Sequence, residues 1–141
     1  MKPLFENVTV SREASWALLN RQLPEGIPFE WHYHPEFELT LTLNSRGQRF
    51  IGDHVGDYED GDLVLIGPNL PHTWESRQQV DPSKPHVAIV MWLQREWVST
   101  LGRSFPELKP VARLLRSAGR GLAFGPDTTA DIRPLATSLP K

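Results

Sequence analysis

With 141 residues and a net charge of −2, the chain has room for one domain of ordinary size and lacks the surplus of Lys and Arg needed to grip duplex DNA by its phosphates. Hydrophobic residues at 39% and charged residues at 23% match globular usage, and no apolar run approaches the roughly 20 residues of a membrane span. The start, Met1-Lys2-Pro3-Leu4-Phe5-Glu6, has no signal-peptide pattern, and zero cysteines exclude disulfides, thiolate metal sites and a cysteine nucleophile, which makes a reducing cytoplasm the expected home.

Thirteen prolines and ten glycines cut the first part of the chain into short runs, the pattern of many short strands joined by tight turns. A first strand is predicted over 14–23, stopped by Pro24-Glu25-Gly26. Strands Phe29–His34 and Phe37–Leu43 follow, with Asn44-Ser45-Arg46-Gly47 as a hairpin turn. Gln48–Ile51, Val55–Glu59 and Leu63–Ile66 are separated by the turn pairs Gly52-Asp53 and Asp60-Gly61. Thr73–Ser76 and Val87–Leu93 complete about eight strands, and the polar segment Arg77–Pro85 reads as a surface loop. Beyond residue 93 the period lengthens. Leu93, Trp97 and Leu101 share one helical stripe, which Gly102 is expected to end. A second helix is predicted from Pro106 or Lys109 to Ala118, burying Leu108, Val111, Ala112, Leu115 and Ala118, with Gly119 as its stop. Lys109, Arg113, Arg116 and Arg120 then form a basic stripe on the opposite side, read as a solvated face that complements the helix dipole, with phosphate binding as the alternative. The end, 125–141, is poor in bulky apolar residues and reads as a segment leading elsewhere.

The chemistry concentrates between Gly26 and Leu43. Side chains on a strand alternate faces, so His32, His34, Glu38, Thr40 and Thr42 share one parity and Phe37, Leu39, Leu41 and Leu43 the other. A polar face carrying two imidazoles and a carboxylate amid apolar sequence reads as a pocket lining, and the leucine face as the side packed on another layer. Glu36 competes with Glu38, because a bulge at Pro35 would exchange the carboxylate that faces inward. His72 follows a buried run and a turn centred on Pro68-Asn69, a pairing suited to type II geometry. Three neutral imidazoles and one carboxylate suit Zn²⁺, Ni²⁺, Mn²⁺ or Fe²⁺ with positions left for water or ligand; equally, they can hydrogen-bond a polar effector directly. Trp74 shares the parity of His72 and either packs or lines the pocket mouth, while Trp31, Tyr33 and Trp92 read as packing residues. One of Gln48 and Arg49 must face the interior, and Arg49 there would hold a carboxylate. His54 and His86 lack partners at ligand spacing and read as surface or turn residues.

The spacing Gly26-x5-His32-x-His34-x3-Glu38 resembles the first motif of the cupin superfamily, with Gly47 later than the glycine usual there. Gly61 and His72 resemble the second motif, with Gly67, Asn69 and Ser76 where proline, glycine and asparagine are usual. The run from His32 to Thr40, then Ile51-Gly52-Asp53, Gly61–Ile66 and Pro68–Trp74, further resembles the N-terminal sensor domain of AraC/XylS-type transcription regulators. Phe105–Leu108, Leu114–Ala118 and Gly119–Phe124 resemble the helical region behind that barrel, so the match covers about residues 12–125. The resemblance implies a mainly β fold: a cupin double-stranded β-helix (jelly-roll barrel) over 1–93, then two or three α-helices in 94–141 belonging to the same domain. It implies effector sensing and homodimerisation without catalytic residues. A small-molecule effector would be bound by His32, His34, Glu38, Thr40, Arg49, His72 and Trp74, directly or through a divalent metal on His32, His34, Glu38 and His72. DNA would be contacted only through helix-turn-helix motifs that these residues do not include, and no membrane is involved. The alternative is a free-standing metal-dependent cupin enzyme, an Fe dioxygenase or an isomerase.

Overall fold

The computed structural model describes residues 1–10 and 13–138. Its strands are β1 Leu4–Phe5, β2 Trp16–Leu23, β3 His32–Tyr33, β4 Phe37–Leu43, β5 Arg46–Ile51, β6 His54–Tyr58, β7 Asp62–Ile66, β8 His72–Gln78, β9 His86–Leu93 and β10 Leu122–Ala123. The helices are α1 Arg95–Ser104, α2 Lys109–Arg116 and α3 Pro126–Ser138. Two five-stranded sheets form, ordered β1-β3-β8-β5-β6 and β10-β7-β4-β9-β2. Ile51, Tyr58 and Trp74 of the first meet Val64 and Ile66 of the second in one core cluster, which closes the sheets into the expected jelly-roll barrel.

The alternation along β4 sets the layers. Phe37 packs with Leu65, Val98, Leu115 and Ala118, and so against α1 and α2. Leu41 and Leu43 pack with Leu63 and Ile89, and Ile132 and Ala136 of α3 cover that cluster. The helices therefore lie on the outer face of the β4 sheet, which leaves Glu38, Thr40 and Thr42 facing the barrel interior. Asn69 adopts φ 61, as the Pro68-Asn69 turn requires.

Several elements depart from the sequence reading. β3 is confined to two residues, because before it Ile27 N–H donates to Ser76 Oγ at 2.7 Å and Glu30 N–H to Thr73 Oγ1 at 2.8 Å, in place of ladder bonds. β1 was not anticipated; it pairs in parallel with β3, Leu4 opposite His32. Gly102 does not end α1. The helix runs on to Ser104, and the missing side chain admits α2, since a Cβ at Gly102 would lie 3.1 Å from the Cβ of Ala112. α2 is flanked by 3₁₀ turns, Pro106–Leu108 and Ser117–Arg120, so the chain turns at Gly121 (φ 82) rather than at Gly119. Val111 stays exposed, while Ala112 and Leu115 are buried as expected. Residues 126–138 form a helix: its Ile132 and Ala136 pack on the barrel, its Thr129 is buried, and its Arg133 pairs with Asp60 at 3.0 Å. The last residues of the expected trailing segment, 139–141, lie outside the described residues. His86 is buried rather than superficial, with a ring nitrogen 2.7 Å from Ser45 Oγ. Among the described residues, no helix is long and apolar enough to cross a membrane.

Candidate metal centre

Both sheets contribute to the cluster. His32 on β3 and His72 on β8 are directly paired across the first sheet. Glu38 comes from β4 in the other sheet, and His34 from the connection between β3 and β4. One ligand atom from each of these four side chains lies within 4.8 Å of all the others. His34, Glu38 and His72 are buried, and His32 is half-buried at the rim.

Hydrogen bonds define which ring nitrogen faces inward. Nδ1 of His72 donates to the Leu70 carbonyl at 2.7 Å, Nδ1 of His34 to the Glu36 carbonyl at 3.2 Å, and Nδ1 of His32 to the Glu30 carbonyl. A carbonyl only accepts, so each Nδ1 carries the hydrogen and the neutral ring presents a bare Nε2. Those bare nitrogens stand 3.0 Å (His34) and 3.3 Å (His72) from Glu38 Oε1. Two acceptors at such distances require positive charge between them, supplied either by protons on the rings or by one cation. A cation about 2.0–2.2 Å from each donor sets neighbouring donors about 3 Å apart and opposite ones about 4.2 Å apart, so the four donors fit a divalent ion with a small contraction. Backbone carbonyls holding the outer ring nitrogens are the usual support for such ligands.

Glu38 is positioned in the same way. Thr40 Oγ1 donates to its Oε2 at 2.7 Å and Trp92 Nε1 to its Oε1 at 3.1 Å. Burial alone would raise its pKa, but His72 and His34 outweigh burial and hold the carboxyl well below the usual range. Burial works against a charged His72, yet Glu38 overrides it and raises that pKa.

The remaining sequence-predicted residues divide. Thr40 and Trp74 line a cavity of about 80 Å³ beside the cluster, together with Thr42, Val90 and Trp92. Arg49 does not line it: its guanidinium is tied to Asp62 at 2.6 Å. Glu36 stays on the outer side of His34, its Oε1 3.8 Å from Nδ1, so the carboxylate that faces in is Glu38. Trp92, read as packing, is a site residue. Its β9 position lies opposite Glu38 in the β4 register, a pairing 54 residues long-range that local periodicity does not reveal. The basic stripe of α2 borders a separate groove of about 780 Å³ with Arg95, Arg103, Lys109, Arg113 and Arg116, outside the barrel.

No family model matches the chain, and no curated protein matches it. Among solved structures, apo ToxT K231A from Vibrio cholerae strain SCE256 aligns over 91% of this chain and 49% of its own, at 8% identity and a TM-score of 0.58. A cupin 2 conserved barrel domain protein from Rhodopseudomonas palustris aligns over 62% and 57% respectively, at 16% identity and 0.46. The S161A mutant of Bacillus subtilis oxalate decarboxylase OxdC aligns over 57% and 21%, at 21% identity and 0.47. The chain thus spans between about a fifth and just over half of these solved chains. At these identities the likeness is one of fold alone: the chain folds as a cupin-type barrel with trailing helices.

Proposed function

We propose that this chain is the effector-sensing and dimerising portion of an AraC-type transcription regulator. In this reading it acts in the cytoplasm, turns over no substrate, and reaches DNA only through a helix-turn-helix portion beyond these residues. The observation that carries the reading is the extent of the fold. The likeness to ToxT, an AraC-family protein, takes in the helices as well as the barrel, over 91% of this chain. The stretches whose wording resembles that family lie in and around α2, between residues 105 and 124.

The effector would sit in the barrel. Its cavity of about 80 Å³ is far below the roughly 300 Å³ of a drug-sized pocket, so a small polar molecule is the fitting class. Thr42 Oγ1 borders the cavity, buried and without a hydrogen-bond partner among the described residues, and it offers such a molecule a contact, while the Trp74 indole is directed toward Asp62. His32, His34, Glu38 and His72 would hold a divalent metal, which when bound supplies a Lewis-acid anchor for an oxygen or nitrogen of the effector. Transmission to the rest of the regulator needs an effector that binds two of its states with different affinity.

Elemental analysis of protein purified without nickel chromatography tests the metal. Thermal-shift screening of small acids, alcohols and amino acids tests the effector: a ligand at a hundred times its Kd adds about 2.7 kcal/mol of stability. Neither metal nor any shift would overturn the sensing role and leave a structural barrel. A second reading, a metal-dependent cupin enzyme, is favoured by the complete three-histidine and glutamate set with bare Nε2 atoms turned inward. Metal-dependent oxygen consumption or isomerisation that disappears in His72→Ala would establish it instead.

A further inference from the structure

A further carboxylate faces two of these four, His32 and His34, from just outside the group whose ligand atoms all lie within 4.8 Å of one another. Glu6 directly follows β1, and the parallel pairing with β3 fixes where it projects: Leu4 N–H donates to the Trp31 carbonyl at 3.0 Å and Glu6 N–H to the Tyr33 carbonyl at 2.9 Å. Its Oε1 lies 3.7 Å from His32 Nε2 and 3.9 Å from His34 Nε2. Although the side chain as a whole is 42% exposed, that oxygen is shielded from solvent and has no hydrogen-bond partner among the described residues. A buried carboxylate oxygen without a donor is costly. The two nearest polar atoms are imidazole nitrogens left bare by the Nδ1 bonds to Glu30 and Glu36. Acceptor therefore faces acceptor at Glu6, as at Glu38, and the same missing positive charge would satisfy both carboxylates.

We propose that Glu6 is a further ligand of the metal centre, its Oε1 binding the divalent ion held by His32, His34, Glu38 and His72; this rests on the reading that the cluster holds a metal. The donor set becomes three nitrogens and two carboxylate oxygens. Five donors disfavour the tetrahedral geometry of a four-ligand zinc site and suit a first-row ion of higher coordination number. Charge changes as well. Two carboxylates neutralise a divalent cation, so the centre offers no net positive charge to an anionic effector, and neutral polar molecules become the ligand class it accepts. Glu6 also ties the N-terminal strand to the ion, so metal binding orders the chain around residues 4–6.

The test uses Co²⁺ as both ligand and optical probe, with the purified chain, Glu6→Gln and His72→Ala. Far-UV circular dichroism and melting of the metal-free proteins establish that both variants fold. The expected result is a weak visible Co²⁺ band in the unaltered chain, and in Glu6→Gln a more intense band of lower coordination number with affinity reduced about tenfold or more. His72→Ala should abolish binding, which places the ion at this cluster. Unchanged spectrum and affinity in Glu6→Gln would overturn the role of Glu6 while leaving the metal reading intact. No Co²⁺ binding by the unaltered chain, or full binding by His72→Ala, would overturn the metal reading itself.

Discussion

Glu38 carries an unusual share of the site: Thr40 and Trp92 donate to it, and His34 and His72 face it. Its titration is coupled to that of His72, and the two shifts have opposite signs. The pKa of Glu38 is depressed on folding, so its stabilising contribution is present above the unfolded value of about 4.3 and is lost as pH falls through the folded one. That of His72 is raised, so its contribution is complete below about 6.5 and is lost as pH rises through the folded value. In chelator, the raised His72 therefore lowers the melting temperature as pH rises above about 6.5. Glu38→Gln removes the partner and should flatten that slope. His86, pushed down by its burial, acts in the opposite sense but is common to both proteins, so their difference isolates the pair. Saturating Zn²⁺ reverses the sign, because ring protons compete with the metal, and melting should then rise between about pH 5.5 and 7.5. Melts across pH, with and without metal, check both directions.

At the scale of elements, legibility followed the distance over which each signal acts. His32, His34 and Glu38 could be placed on one side because strand parity is a local property, and β4 falls on its predicted residues. The Pro68-Asn69 turn was equally local and carries the chain to His72. The tie of Arg49 to Asp62 is not legible locally, because Asp62 opens β7 in the opposite sheet, and the role of Trp92 depends on which strand neighbours β4. Glu6 was invisible for the same reason: nothing in its own neighbourhood announces a parallel pairing with β3. Gly67 shows the interplay in one residue. It stands where the cupin motif usually has proline, yet its N–H donates to the Ala118 carbonyl at 2.9 Å, a bond that proline could not make and that ties the region after α2 to the barrel. A Cβ there would come within 2.6 Å of the same carbonyl oxygen. Gly67→Ala should therefore cost about 1–3 kcal/mol, as overpacking does, read as a lowered denaturation midpoint. An unchanged midpoint would mean that the helices tolerate a shift away from the barrel.

For the molecule as a whole, the β4 sheet has two working faces. Neighbouring residues Phe37 and Glu38 point in opposite directions, one into the packing of Val98 and Leu115, the other into the cluster of His32, His34 and His72, so the site and the helices share a single strand. The outer surface of α2 then becomes the natural place for the proposed dimer. Val111 and Leu114 are each 43% exposed there, and an apolar pair on a solvated helix gains by meeting its own copy across a two-fold axis. Charge stays clear of that contact. Lys109, Arg113 and Arg116 lie on the other side of α2, where they border the groove shared with α1. A helix diameter of about 10 Å separates them from the apolar pair, and salt screens charge over a Debye length of about 10 Å at 0.1 M. Association through α2 is therefore expected to change little as salt rises, unlike an interface held by ion pairs. Leu114→Glu should abolish it, because a carboxylate would then be buried where an apolar contact is needed. Light scattering against salt concentration decides the matter: a dimer that persists as NaCl rises and is lost in Leu114→Glu places the interface on α2, whereas a dimer that weakens with salt and persists in that variant places it elsewhere.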